Sequence, residues 1–368
     1  MRTSSRPPSA LLVLVPALLF GALPVAAQSV QGRVLTATDD APVAGALVQL
    51  TDSTGAVVAR AASTASGGFA IVAPAPGTYQ LVIRQIGLEA WRSEAFVLGG
   101  ARQEPVTLRI APQVYTLPEI TVATRRARCG VGLDEGDVLA RLLESAGTAL
   151  GVAEATADGG EIGFTSDTYL KRLDPELRLE DSTDTDMPGL SRWPIQSAPP
   201  DSLSRWGFVR ETSAGPVYYG PDARVLFSDW FLAAHCFQVD TASGSRVSVR
   251  FEPERRGRGA ALVGHLLLDR ESLELRSLTF EYVGLPRWVP KGKAGGEVRL
   301  SRLPGGAWVP TAWDLRAPVA RHTLGRSRPR LGGWVETGGR VTAVYGRNGK
   351  VDSTLTAALL GIERDRRY

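Results

Sequence analysis

The chain has 368 residues, 43% of them hydrophobic and 22% charged, with a formal net charge of +4. That balance excludes wholesale disorder and a polytopic helical membrane protein, and it offers no basic field of the kind nucleic acid requires. Two Cys and three His are too few for zinc-finger arrays or iron–sulfur ferredoxins, and no cofactor or metal is expected.

Arg2 and Arg6 precede an apolar run from Ala10 to Leu23, and Val25-Ala26-Ala27 supplies small residues for cleavage before Gln28. Residues 1–27 read as a signal peptide. The run is short of the ~20 residues a spanning helix needs. No later segment is apolar enough to cross a bilayer, so no transmembrane segment is expected after cleavage; an uncleaved N-terminal anchor is the competing reading. Export places Cys129 and Cys236 in an oxidising compartment, where a disulfide is expected. A metal or nucleophile site using His235 beside Cys236 competes with it, as do two inert thiols. Neighbours on a strand point to opposite faces, which argues against shared ligation.

From Val30 to Ile110 the signals are β. Ala46, Val48 and Leu50 alternate with their neighbours, as do Phe69, Ile71 and Ala73, then Tyr79, Leu81 and Ile83, then Val106, Leu108 and Ile110. Period two means one buried face per strand. Turn clusters separate the runs at Thr38-Asp39-Asp40, Asp52-Ser53-Thr54-Gly55, Ser66-Gly67-Gly68 and Pro74-Ala75-Pro76-Gly77. Short strands at this spacing predict a β-sandwich over 28–111.

The series Gly32-x-Val34, Pro42-x-x-Gly45-Ala46-x-Val48-x-Leu50, Gly55, Gly68-Phe69 and Pro76-Gly77-x-Tyr79-x-Leu81 resembles the carboxypeptidase regulatory-like domain. Where that family carries an Asp before the Gly-Phe turn, Ala65 and Ser66 stand here. The resemblance implies a transthyretin-like sandwich, grouped with carbohydrate-binding-like folds. It also implies an accessory role, attached elsewhere to metallopeptidases and receptors. The linker, 112–136, contains Leu117-Pro118-Glu119-Ile120-Thr121-Val122, similar to the segment after this module in TonB-dependent receptors. The residues that follow are too few for a ~22-stranded barrel. An edge strand closing the sandwich is the alternative for this segment.

The remainder, 137–368, predicts an antiparallel β-meander with one packed helix, so the fold class is mainly β. Asp137 as N-cap, helical spacing of Val138, Leu139, Leu142, Leu143 and Ala146, and Gly151 as a stop place that helix at 137–150. Residues 174–203, rich in Pro, Asp and Ser, read as an exposed loop, and Asp222 to Cys236 as either helix or strand. Hairpins are expected around Arg270-Glu271-Ser272, around Pro304-Gly305-Gly306 and around Gly338-Gly339. This rhythm resembles the half-barrel sheets of periplasmic lipoprotein carriers of the LolA type, which implies a concave apolar face for an acyl chain.

Catalytic constellations are missing. His235, His265 and His322 lack the Glu partner of a zinc carboxypeptidase, and there is no Gly-x-Ser-x-Gly elbow and no phosphate-binding loop. Glu180, Asp181, Asp184 and Asp186 offer calcium an oxygen cluster, against a solvated loop. Arg321, Arg326, Arg328, Arg330, Arg364, Arg366 and Arg367 form either a phosphate-facing patch or a solvated face. Trp288, Trp308, Trp313 and Trp334 are candidates for stacking on a ligand, against a place in the core. The expectation is a non-enzymatic, exported envelope protein at the periplasm or outer-membrane periphery. It would bind a glycan or an envelope protein, and the alternative is a carrier of a lipid or other apolar ligand.

Overall fold

A computed structural model describes residues 29–99, 104–111, 128–129, 138–159, 162–190, 193–255, 259–322, 328–346 and 348–365. Residues 1–27, expected as a signal peptide, and most of 112–136, expected as a linker, lie outside the described residues with the expected N-cap Asp137.

The N-terminal region contains β1 (Ser29–Thr36), β2 (Leu47–Asp52), β3 (Val57–Ala62), β4 (Gly68–Val72), β5 (Gly77–Arg84), β6 (Trp91–Arg92), β7 (Phe96–Leu98) and β8 (Val106–Ile110). One sheet has the order β4-β1-β8, with β1 and β8 parallel. The other runs β3-β2-β5, and β6 and β7 both pair with β5. The two sheets close over Val34, Val48, Leu50, Phe69, Ile71, Leu81 and Ile83, all buried. These are the alternating positions of the sequence, each strand turning one face inward. Leu47 is also buried, but it points the other way and belongs to the second core.

The rest of the chain contributes β9 (Arg128–Cys129), α1 (Val138–Gly159), β10 (Gly163–Leu173), β11 (Leu179–Leu190), α2 (Pro200–Trp206), β12 (Val209–Thr212), β13 (Gly215–Tyr218), α3 (Ala223–Leu226) and α4 (Asp229–Ala234). There follow β14 (His235–Ser243), β15 (Arg246–Pro253), β16 (Ala261–Asp269), β17 (Leu275–Val283), β18 (Gly295–Arg302), β19 (Trp308–Arg321), β20 (Arg330–Tyr345) and α5 (Ser353–Asp365). Ten strands form an open sheet in the order β11-β10-β20-β19-β18-β17-β16-β15-β14-β9. Sequential hairpins build β14 to β20, and the earlier β10–β11 hairpin adds to the far edge at β20. Val249, Leu266, Leu278, Val298 and Trp313 are direct partners across five strands and face the core shared with α1. Their chain neighbours Arg250, His265, Thr279, Glu297 and Asp314 form the adjacent row and face outward.

Helix α1 is longer than the 137–150 expected, because Gly151 continues it to Gly159 instead of stopping it. A β-carbon at Gly151 would come within 2.7 Å of Leu47 Cδ2, so the glycine is a seat for β2 rather than a cap. The helix is buried on nearly every side, as a helix between two layers must be. One side packs on the sheet and the other on β2 and β3. Arg84 pairs with Glu144, Arg141 lies 3.3 Å from Glu89, and Arg302 donates to Ala44 O at 3.2 Å. Gly45 and Gly306, both at positive φ, bring their backbones into direct apposition, where any side chain would collide.

Two further expectations are corrected and one open reading is resolved. Residues 174–203 are not one loop: β11 occupies most of the span and α2 begins at Pro200. Glu180, Asp181 and Asp184 lie on that strand, where acidic residues guard a sheet edge against pairing; in the regular register opposite Arg172 and Tyr169, alternation sends Asp181 and Asp184 to opposite faces, which breaks up the suggested calcium cluster. Gly338-Gly339 is not a turn, since β20 runs through it unbroken. A β-carbon at Gly338 would meet Tyr169 Oη at 2.5 Å, and one at Gly339 would meet Trp313 Cζ2 at 2.5 Å. These glycines make room for rings on the two faces of the strand. The ambiguous 222–236 segment is both things in turn. Asp222 accepts the Val225 N–H (2.9 Å) to cap α3, Ser228 accepts the Phe231 N–H (3.2 Å) to cap α4, and β14 starts at His235.

Cys129 and Cys236 are directly opposed on β9 and β14 and joined by a disulfide. The bond ties the sheet's outermost strand across 107 residues of sequence.

Candidate functional site

The four tryptophans separate into two kinds. Trp308 and Trp334 are each only 1% exposed and lie in the main core, so neither presents a ring face. Trp334 Nε1 donates to Pro175 O at 3.3 Å. Trp313 is half-buried over Gly339. Trp288 alone of the four lines a cleft of about 900 Å³.

Three elements build that cleft. The β12–β13 hairpin contributes Glu211, Pro216 and Tyr218. The loop after β17, turned by Gly284 at positive φ and closed by the Val289 N–H on Pro286 O (2.9 Å), contributes Pro286 and Trp288. The end of β19 contributes Val319, 40% exposed, and His322. The Tyr218 ring packs edge-on to Tyr282 at 5.3 Å, and Tyr282 Oη donates to Tyr219 O at 2.9 Å. That buried tyrosine holds the hairpin in place. Burial, with Glu211 nearby, pushes the Tyr218 hydroxyl up to about 12, so it stays a neutral donor. The walls are thus rings and prolines, with polar atoms at Glu211, Tyr218 and His322. Such a surface suits a ligand that offers C–H faces and hydroxyl groups together. Of these residues only Trp288 stood out in the sequence as a binding group. The Pro216-Val217-Tyr218 and Gly284-Leu285-Pro286 stretches held the remaining signal, visible only once their loops meet.

The histidines do not converge, and the described residues contain no group of three or more His, Cys, Asp or Glu able to hold a metal. His235 is 2% exposed, stacked on Phe231 at 3.6 Å, with Nδ1 2.9 Å from Phe231 O. Burial lowers its pKa to about 4, so it is a neutral core residue. His265 faces outward, 3.4 Å from Asp240. On that outer face Glu297 lies directly opposite Asp314, and Arg316 binds Glu336 at 2.7 Å. Burial, then Glu336 and Glu297, raise Asp314 to about 6. At the layer between the regions, burial and then the charge of Asp222 raise Glu154 on α1 to about 7; its Oε1 accepts the Ala223 N–H at 2.8 Å. Arg321 and Arg330 face each other across β19 and β20. Arg326, Arg366 and Arg367 lie outside the described residues.

The apolar face that a carrier of the expected type would leave open is filled here. Residues of α1, α3 and α4 share one continuous core with it.

Residues 29–111 match the family model of the carboxypeptidase regulatory-like domain, and that stretch is such a domain. No curated protein matches the chain. Among solved structures, a DUF3823 family protein from Bacteroides ovatus aligns at 8% identity and TM-score 0.19, covering 61% of this chain and 91% of that one. A proposed carbohydrate-binding protein from Bacteroides uniformis aligns at 9% identity and TM-score 0.20, covering 66% and 98%. BcpA, the major pilin subunit of Bacillus cereus, aligns at 8% identity and TM-score 0.21, covering 88% and 91%. Superpositions this loose establish neither a shared ligand nor a shared assembly.

Proposed function

We propose that this chain is an exported, non-enzymatic envelope protein that binds a glycan in the cleft around Trp288. The N-terminal sandwich serves as its adaptor module. The observation that carries the reading is the cleft itself, where a half-buried indole and a tyrosine stand among prolines, with Glu211 and His322 at the rim. Stacking of a sugar on an indole uses the ring face, and the polar groups set orientation. Export is supported by the leader-like residues 1–27 and by the disulfide. The non-catalytic assignment rests on the accessory family of the N-terminal domain.

The test is a glycan array on the full mature chain, followed by calorimetry on any hit. Binding of one or a few oligosaccharides is expected, with W288A weakening them about tenfold, the equivalent of ~1.4 kcal/mol. An array without hits, or hits indifferent to W288A, sinks the proposal.

A further inference from the structure

On one side of the N-terminal sandwich two strand edges lie next to each other. Strand β3 ends one sheet and β4 ends the other, and among the described residues neither has a strand on its outer side. The turn between them is pinned by the Thr64 N–H on Gly68 O (2.9 Å) and the Gly67 N–H on Thr64 O (2.8 Å). Beyond that turn the two edges border a cavity of about 750 Å³. Its walls are unbroken runs, 59–64 on one side and 68–72 on the other. Alternate side chains of a strand point opposite ways, so a cavity lined by every residue in turn is bordered by backbone. The side chains there are small at Ala59, Ala61 and Ala70 and leave the backbone approachable, whereas the N–H and C=O of Gly68 are both taken by Thr64 in the turn. Neither strand carries a Pro, β4 carries no charge, and Arg60 is the one charged residue on β3. The last turn of α1, through Ala155 and Asp158, and the β18–β19 tip at Gly305 close the far side and fix the width.

We infer that this seam takes an extended segment of a partner polypeptide as an added strand. What an open edge lacks is a row of N–H and C=O partners at strand spacing, and a peptide supplies that row where a lipid or a sugar does not. A five- or six-residue strand matches the lengths of β4 and β3. Val72, 56% exposed at the end of β4, gives an apolar partner residue a place to pack. The inference is independent of the glycan cleft, which lies in the other region of the molecule.

The experiment selects a displayed library of random 12-residue peptides on the full, oxidised chain and then uses the enriched peptide as the probe. Peptides alternating apolar and polar residues are expected. Their binding should slow amide exchange at β3 and β4 at least tenfold. The exposed substitutions A70K and V72K together should weaken binding at least tenfold while the melting curve is unchanged, and W288A should bind the peptide normally. Failure to enrich any peptide overturns the inference. So does protection mapping elsewhere, or binding that ignores the two lysines. A concentration-dependent dimer protecting β3 and β4 would make the occupant a second copy of this chain and would overturn it equally.

Discussion

The two β regions bury their apolar faces differently. In the N-terminal sandwich, sheet covers sheet, so nearly every inward residue is an alternating Val, Leu, Ile, Phe or Tyr. In the C-terminal region one sheet of ten strands is covered by helices α1, α3 and α4 over its main core, with a smaller cluster of Phe164, Val309, Val341 and Val344 beneath Leu359 of α5. The opposite face carries rows of charge, among them Arg250, His265, Glu297 and Asp314. A self-covered region needs only period two. A region covered by helices needs period two, period 3.6 and a third set of residues where the helix meets the neighbouring sandwich. Leu47 belongs to that third set, pointing out of its own sandwich into the core of the other region.

The largest expected effect separates the regions by their covalent tie. Replacing both cysteines (C129S with C236S) removes a crosslink spanning 107 residues. The chain-entropy relation puts its loss at about 4–5 kcal/mol. Urea unfolding followed by hydrogen exchange should show the sheet strands β14 to β17 opening first, with the core of β2 and β5 still protected. Equal loss in both would show that α1 welds the regions into one cooperative unit.

The tryptophans give the next contrast. W308A deletes a fully buried indole and should cost about 3–5 kcal/mol. W288A removes a half-exposed one and should leave the denaturation midpoint within about 0.5 kcal/mol of the parent. If the two variants unfold alike, the cleft is ordinary core and the glycan reading falls with it.

Two desolvated titratable groups, buried His235 and half-buried Glu154, give opposite pH dependences. His235 has a folded pKa lowered to about 4 against 6.5 unfolded, so its burial costs stability as pH falls from about 6.5 toward 4. Glu154 has a folded pKa raised to about 7 against 4.5 unfolded, so stability falls as pH rises from about 4.5 through 7. Each window amounts to roughly 3 kcal/mol. E154Q keeps the acceptor for the Ala223 N–H and should be more stable than the parent at pH 8 but no different at pH 4.5. H235F keeps the ring against Phe231 and should flatten the acid limb. Denaturant midpoints across pH 4–8 measure both. Because Glu154 sits on the helix both regions share, its effect should be felt by both cores. That of His235, beside the disulfide, should stay in the sheet.

How much of this was legible follows from the same contrast. Val48, Leu50, Ile71, Leu81 and Ile83 announced themselves through alternation, because each faces a sheet like its own. The helix was legible through Leu139, Leu142 and Leu143, but its end was not, since Gly151 reads as a stop until Leu47 is seen resting on it. Edge strand β11 looked like a loop for the reason it works as an edge: acidic residues that discourage pairing also depress strand propensity. At the cleft, Trp288 was visible as an aromatic, but its partnership with Tyr218 and His322 joins residues far apart in the chain.

Gly338 and Gly339 provide the finest discrimination. A glycine inside a strand normally costs stability, and alanine there would gain roughly 0.5–1 kcal/mol. In β20 the sign should reverse. At Gly339 the new carbon would approach Trp313 Cζ2 to 2.5 Å, and at Gly338 it would reach both Tyr169 Oη and Trp313 O within 2.6 Å. Overpacking of this kind costs about 1–3 kcal/mol. Both G338A and G339A should therefore lower the urea midpoint. G339A alone should also change Trp313 fluorescence, since the indole must move on the inner face while Tyr169 stays in place on the outer one. Stabilisation by either alanine would mean that the strand yields freely at this point, and the reading of these glycines as ring seats would have to be abandoned.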